Sequence, residues 1–267
     1  MFEKIRFHAS IYKHFIKTDM KRIQLYPIDF LLGNLGFFLD TVSNLFVLYI
    51  IMSTTKILGE FNGYQMLFFY GFLMLSGALF EILFVTILEV PYMIRTGELD
   101  IFLLRPLNIL FQFIVFQLDE ESIFEAIFAV GVLIFSIAQM ELSWNIVFLT
   151  KLIGYLISSV FVRCAIYLFL SSLSFWWISN EGLKSIIWEI SQLGSYPLSI
   201  YPNVLRIILI AIPFSFVGYF PVKDLLLSNT LYGISSFINF FAGLVIFSLV
   251  YVTFWRLGLR KYTSAGG

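Results

Sequence analysis

The chain has 267 residues, 60% of them hydrophobic and 13% charged, with a mean hydropathy of +0.91 and a formal net charge of zero. Soluble domains carry about 25% charge, so this composition excludes a water-soluble fold and makes lipid the solvent. The zero net charge argues against nucleic acid as a partner, and the single Cys164 excludes an internal disulfide.

Residues 1–26 read as an amphipathic helix lying in the membrane interface. Ile5, Ala9, Tyr12, Ile16, Met20 and Ile23 recur at three and four, while Lys13, Lys17 and Lys21 form a basic row suited to anionic headgroups. A spanning helix needs about 20 mostly apolar residues. The runs 28–54 and 64–90 qualify, and 122–140 is a short third, crowded at its start by Asp119, Glu120, Glu121 and Glu125. The fourth covers 147–177 and contains Arg163. A fifth is expected from about Asn203, interrupted at Pro213, and the sixth covers 230–255, ending at Arg256. The fold class is thus all-α: a six-span membrane domain over 27–256, with a tail at 257–267.

Six spans put both termini on one side. Thirteen basic residues fall on that side, including Lys184 and Arg206, against Lys56, Lys151 and Lys223 on the other. The positive-inside rule makes the first side cytosolic.

No chemistry is written in the sequence. The dipeptide Gly-Lys of a phosphate-binding loop is absent, as are the Gly-rich dinucleotide fingerprint, the nucleophile elbow and the metalloprotease His pair. His8 and His14, the only histidines, stand six apart and suit no metal site on one helix face. The expectation is a chain that is not an enzyme and holds no cofactor or metal.

Polar residues at membrane depth are few. Gly33, Gly36, Asp40 and Asn44 fall within roughly 80° of arc at 100° per residue, and Ser236, Asn239 and Gly243 make a second stripe. Each stripe reads as close helix packing or as a pathway wall. Asp40, Glu81 and Arg163 are ionisable in the membrane, where such groups pair or line a cavity. Counted at 1.5 Å per residue, Asp40 lies about 18 Å and Arg163 about 21 Å from the same side. This leads us to expect a pair of Arg163 with Asp40 or, failing that, with Glu81.

The stretch 94–108, IRTGELDIFLLRPLN, breaks the apolar text. After Gly97 a short helix is expected, with Glu98 and Asp100 in its first turn and Arg105 at its end, as the helix dipole favours; Pro106 stops it. Leu99, Phe102, Leu103 and Pro106 make one apolar side, expected to dock in a groove of another protein. With YPLSIYPNVLR and IPFSFVGYFP further on, this stretch resembles the permease subunits of bacterial type-2, exporter-like ATP-binding-cassette transporters. The resemblance is to the branch with a G-x-L-D-x-x-L-L-[RK]-P-x-N loop, filled here by Gly97, Leu99, Asp100, Leu103, Leu104, Arg105, Pro106 and Asn108.

That resemblance implies six spans, a homo- or heterodimer of permeases in the bacterial cytoplasmic membrane, and partner ATPase subunits that bind ATP and Mg. It makes 97–106 the cytosolic coupling helix and 214–229 a re-entrant element on the outer side. A second cytosolic contact is expected near GLKSIIWEISQLGSYP. The alternative is a secondary transporter or channel using Asp40 and Glu81 without an ATPase.

Overall fold

The computed structural model describes Leu25 and residues 27–264, apart from 117–118, 141, 143–144, 178–180 and 229–232. The interfacial helix expected over 1–26 lies, but for Leu25, outside the described residues. Among the described residues, five helical stretches are long and apolar enough to cross a membrane: Phe30–Thr55, Gly63–Thr96, Glu121–Gln139, Ile146–Phe175 and Ile234–Lys261. The protein is an all-α membrane protein.

The first span is α1 (Pro27–Thr55). A two-stranded antiparallel hairpin, β1 (Ile57–Leu58) and β2 (Phe61–Asn62), turns the chain around. Asn62 then opens α2 (Gly63–Phe84) with a capping box: its side chain accepts from Gln65 N at 3.0 Å, and its own N–H donates to Gln65 Oε1 at 2.9 Å. A 3-10 segment (Val85–Glu89) joins α2 to α3 (Val90–Thr96), which ends at Gly97 in the left-handed conformation, φ 81°. There follow the short α4 (Leu99–Leu103), α5 (Ile109–Phe116), α6 (Glu120–Gln139) and α7 (Ile146–Ser172). The last crossing is α11 (Ile234–Val250), which continues through a π turn (Tyr251–Trp255) into α12 (Arg256–Lys261).

Helices α2 and α7 form the centre. Phe68, Phe69, Phe72, Tyr155, Val162 and Ala165 are all fully buried there. Helix α11 lies directly on α7: a Cβ at Gly243 would stand 2.1 Å from the Ser158 carbonyl oxygen, and the Gly243 N–H donates to Ser158 Oγ at 3.0 Å. By contrast α1 exposes most of its length, including Leu31, Leu35, Phe46 and Tyr49.

Between α7 and α11 the structure departs from the expected fifth span. Phe175, past the end of α7, stacks edge-on against Trp255 and Tyr262, so it belongs to the end of the bundle that carries Asp100. Ser199, by contrast, donates to Glu60, in the hairpin at the opposite end. The chain therefore travels between the two ends through α8 (Glu181–Leu193), a segment expected to be a cytosolic contact. The apolar stretch from Asn203 does not run through to the Asp100 end. It forms α9 (Asn203–Ala211) and, after a break at Pro213, residues 214–227 with α10 (Tyr219–Leu227), the two arms bent by 75°. Both arms are tied to the Glu60 end, making a helical hairpin, and Arg206 sits at that end with its guanidinium on the Leu198 and Ser199 carbonyls.

Two charged clusters fix the hairpin. Asp224 accepts from Lys151 (3.2 Å), Tyr155 (2.5 Å), Ser235 (2.5 Å) and Ser236 (2.9 Å), joining α7, α10 and α11. Glu60 accepts from Ser199, Tyr219 (2.5 Å) and Lys223 (3.0 Å). Burial pushes the Glu60 carboxyl up, but these hydrogen bonds and the Lys223 charge outweigh it and hold the group below its usual range.

The Lys151–Asp224 pair is almost wholly buried, its side chains 7% and 3% exposed. Asp224→Ala should cost about 3–5 kcal/mol, because it strands a buried ammonium. Thermal unfolding in detergent reads this as a lowered midpoint. The double variant Lys151→Met/Asp224→Leu should regain most of the loss, and failure to regain any would refute the stranded-charge account.

Glu60 gives a pH dependence whose sign follows from its lowered value. Its contribution is fully present above the ordinary glutamate value of about 4.3 and is lost as pH falls through the depressed folded value. Thermal midpoints measured from neutral pH down into that range should fall less steeply for Glu60→Gln than for the parent.

Candidate functional site

A cavity of about 630 Å³ opens inside the helix bundle. Helix α1 contributes Phe37, Asp40, Thr41 and Asn44, and α2 contributes Tyr70, Leu73, Met74, Gly77, Phe80 and Glu81. Glu125 comes from α6, while Arg163, Tyr167, Leu170 and Ser171 come from α7. Helix α8 adds Ser185, Trp188, Glu189 and Gln192, and the hairpin tip adds Phe214 and Val217. The α7 lining falls in the half nearer the Asp100 end, whereas the α2 lining runs from Tyr70, in the Glu60-side half, to Glu81. Phe214 and Val217 therefore act as a roof on the Glu60 side.

The roof is tied down by hydroxyls. Ser159 of α7 donates to the Val217 carbonyl, at 2.5 Å, and shares a proton contact with Ser76 of α2 at 2.6 Å. Ser215 donates to the Leu209 carbonyl at 3.1 Å across the break itself.

The structure sorts the polar residues singled out from sequence. Asp40, Asn44, Glu81 and Arg163 meet in the cavity, and Asn44 donates to Asp40 at 3.0 Å. Ser236 and Asn239 face away from it. They donate to Asp224 and to the Phe220 carbonyl (3.2 Å), so their stripe is a packing stripe.

The expected direct pair of Arg163 is not formed. Its Nη2 reaches the Leu73 carbonyl at 3.4 Å, the guanidinium stands 3.9 Å from the point where a Gly77 Cβ would lie, and Nε is buried without a partner. Among the described residues no carboxylate makes an ion pair with it. Glu81 is taken up instead by Ser122, whose hydroxyl lies 2.9 Å from Glu81 Oε2 and 2.6 Å from Asp119 Oδ2. Arg163 thus serves the surrounding acids, Glu81 and Glu125 above all, through its field rather than through contact.

Glu125 and the α8 side chains went unremarked in the sequence as cavity residues. Ser185, Trp188, Glu189 and Gln192 recur at three and four, which puts a polar stripe on one side of a helix. That periodicity was the available signal.

At the opposite end, α4 is shorter than the expected 97–106, and Gly97 closes the helix before it. The expected apolar side is divided between inside and outside, with Leu103 and Pro106 facing outward. Leu99 and Phe102 are buried in this protein, with Phe102 edge-on to Phe113 (5.2 Å) and Phe116 (5.0 Å). Gln112 holds the stretch by donating to the Phe102 and Leu107 carbonyls at 2.8 and 3.1 Å. Asp100 accepts from Ser264 at 2.5 Å. What faces outward is Ile101, Leu103 and Leu104 (85% exposed), with Glu98, Arg105 and Pro106 around them.

A family model described as "ABC-2 family transporter protein" matches residues 38–266. No curated protein matches the chain, and no solved structure matches it.

The field account of Arg163 separates it from a paired residue. Arg163→Leu should lower the thermal midpoint, since Glu81 and Glu125 lose the positive charge that shares their cavity. Adding Glu81→Gln or Glu125→Gln should relieve the loss, whereas exchanging Arg163 and Asp40 should not. Strict additivity of the single effects, within about 0.5 kcal/mol, would show that these groups do not interact.

Proposed function

Because the chain belongs to the ABC-2 family of transporter proteins, we propose that it is the membrane-spanning permease subunit of an ATP-binding-cassette exporter. ATP is hydrolysed in a separate ATPase subunit, which holds the nucleotide and Mg. The observation that carries the reading is the shape of the cavity: roofed by Phe214 and Val217 on the Glu60 side, with its α7 lining in the half nearer the Asp100 end. In an alternating-access cycle this is the state that faces the Asp100 side.

Charge supports placing that side in the cytosol. With Arg206 moved to the Glu60 end, the basic residues divide twelve against four rather than thirteen against three, still a positive-inside bias toward the Asp100 end. Both termini are then cytosolic. The apolar faces of α1 and α11 are open to lipid and to a second permease. Docking of the ATPase falls to α4 through Ile101, Leu103 and Leu104, while Leu99 and Phe102 transmit its movement to α5 and the core. A rival secondary transporter draws on Asp40 and Glu81 both facing the cavity. It requires transport by the chain in vesicles without any ATPase.

The docking assignment is tested by two substitutions with opposite outcomes. Leu104→Asp should leave the thermal midpoint of the permease unchanged and weaken ATPase association at least tenfold, about 1.4 kcal/mol. Phe102→Ala should destabilise the permease itself by as much as about 3–5 kcal/mol. Co-purification from mild detergent reads the first and thermal unfolding the second. If Leu104→Asp retains the ATPase as well as the parent, α4 is not the docking element.

A further inference from the structure

A second cavity, of about 340 Å³, lies at the Asp100 end where α7 runs out against α11 and α12. Its walls are Leu173, Trp176, Trp177, Thr253, Phe254 and Leu257. The one hydroxyl among them, on Thr253, is already donated to the Leu249 carbonyl at 2.6 Å within its own helix. The slot therefore offers a ligand only hydrocarbon, aromatic faces and two indoles. Trp177 is 60% exposed and Leu257 48% exposed, so the slot opens sideways from the bundle rather than into it.

Next to this apolar slot stands positive charge. Arg260 and Lys261 follow Leu257 by three and four residues on α12, which places them on the same side of the helix as the slot wall. Both are exposed, and neither makes an ion pair among the described residues. Indoles favour the boundary between hydrocarbon and headgroups. An apolar slot on the hydrocarbon side of that boundary, with free cations just beyond it, matches one kind of molecule. A soluble anion would leave the slot unused, and a zwitterionic lipid would bring its own cation against Arg260 and Lys261.

We propose that this groove binds an anionic phospholipid, one acyl chain lying along Leu173, Trp176 and Leu257 and the phosphate resting on Arg260 and Lys261. The lipid would join the end of α7 to the end of α11, the two elements whose aromatic side chains Phe175 and Trp255 meet at 5.6 Å. The inference does not depend on which side of the membrane this end occupies, nor on the presence of an ATPase.

The test uses the full chain in mild detergent with phosphatidylglycerol and phosphatidylcholine of identical acyl chains, followed by native mass spectrometry and thermal unfolding. Each basic residue near an anionic headgroup is worth about fivefold in affinity. A preference for phosphatidylglycerol of tenfold or more on the order of this estimate is expected, with a raised thermal midpoint. In Arg260→Gln/Lys261→Gln the preference should fall to about one, while the lipid-free midpoint stays at the parent's value. Glycerol phosphate, the headgroup alone, should change nothing. Equal binding of the two lipids by the parent, an undiminished preference in the double variant, or an equal shift from glycerol phosphate would each overturn the proposal.

Discussion

Lipid cannot hydrogen-bond a peptide group, so any backbone that leaves helical geometry within a membrane must be satisfied by protein. The hairpin over 203–227 is where this chain meets that demand, and much of the bundle is arranged around it. Breaking at Pro213 frees carbonyls at the tip. Ser215 takes the Leu209 carbonyl, Ser159 the Val217 carbonyl, and Asn239 that of Phe220. These donors come from the hairpin, α7 and α11, so the contact of α11 with α7 at Gly243 and Ser158 is also what brings Asn239 within reach. The Asp224 cluster closes the same three-way junction nearer the membrane surface. The roof of the cavity is accordingly one body with α7 and α11, and not a flap resting on them.

The two ends of the bundle answer different requirements. At the Glu60 end Lys151 pairs with Asp224 and Lys223 with Glu60. At the Asp100 end α4 is held from behind by Phe113, Phe116 and Gln112 while its outward side carries unpartnered leucines. Phe102 packs against Phe113, and Phe113 against the indole of Trp255 at 5.8 Å, so α4 is joined through aromatic rings to the end of the last crossing helix.

Most of the architecture was legible in the sequence because hydropathy registers lipid exposure directly. α1, α6, α7 and α11 begin and end within a few residues of the apolar runs. The failures share one cause. Helix α8 carries the chain from the Asp100 end toward the Glu60 end yet holds Ser185, Glu189 and Gln192, because that side faces a cavity; its text reads as a surface piece. The hairpin is apolar because protein and lipid both cover it, so its text reads as a span. Periodicity likewise identified the apolar side of α4 through Leu99 and Phe102 but could not say whose atoms would cover it. The cavity residues Asp40, Glu81 and Arg163 were visible as charges out of place. Their arrangement was not, since equal depth on two helices fixes a level and leaves the direction of each side chain open.

The π turn at Tyr251–Trp255 carries one residue more than an α-helical turn would. That surplus sets the orientation in which Trp255 enters the cluster with Phe113 and Phe175. Over the history of such chains this makes the segment sensitive to length as well as to identity. A lineage that dropped one residue between Val250 and Arg256 would still form a helix and still cross the bilayer. The five residues of the π turn and the four left after such a loss cover nearly the same rotation, about one full turn, so the basic residues of α12 would keep their bearing. What would change is the local widening from which Trp255 reaches Phe113 and Phe175.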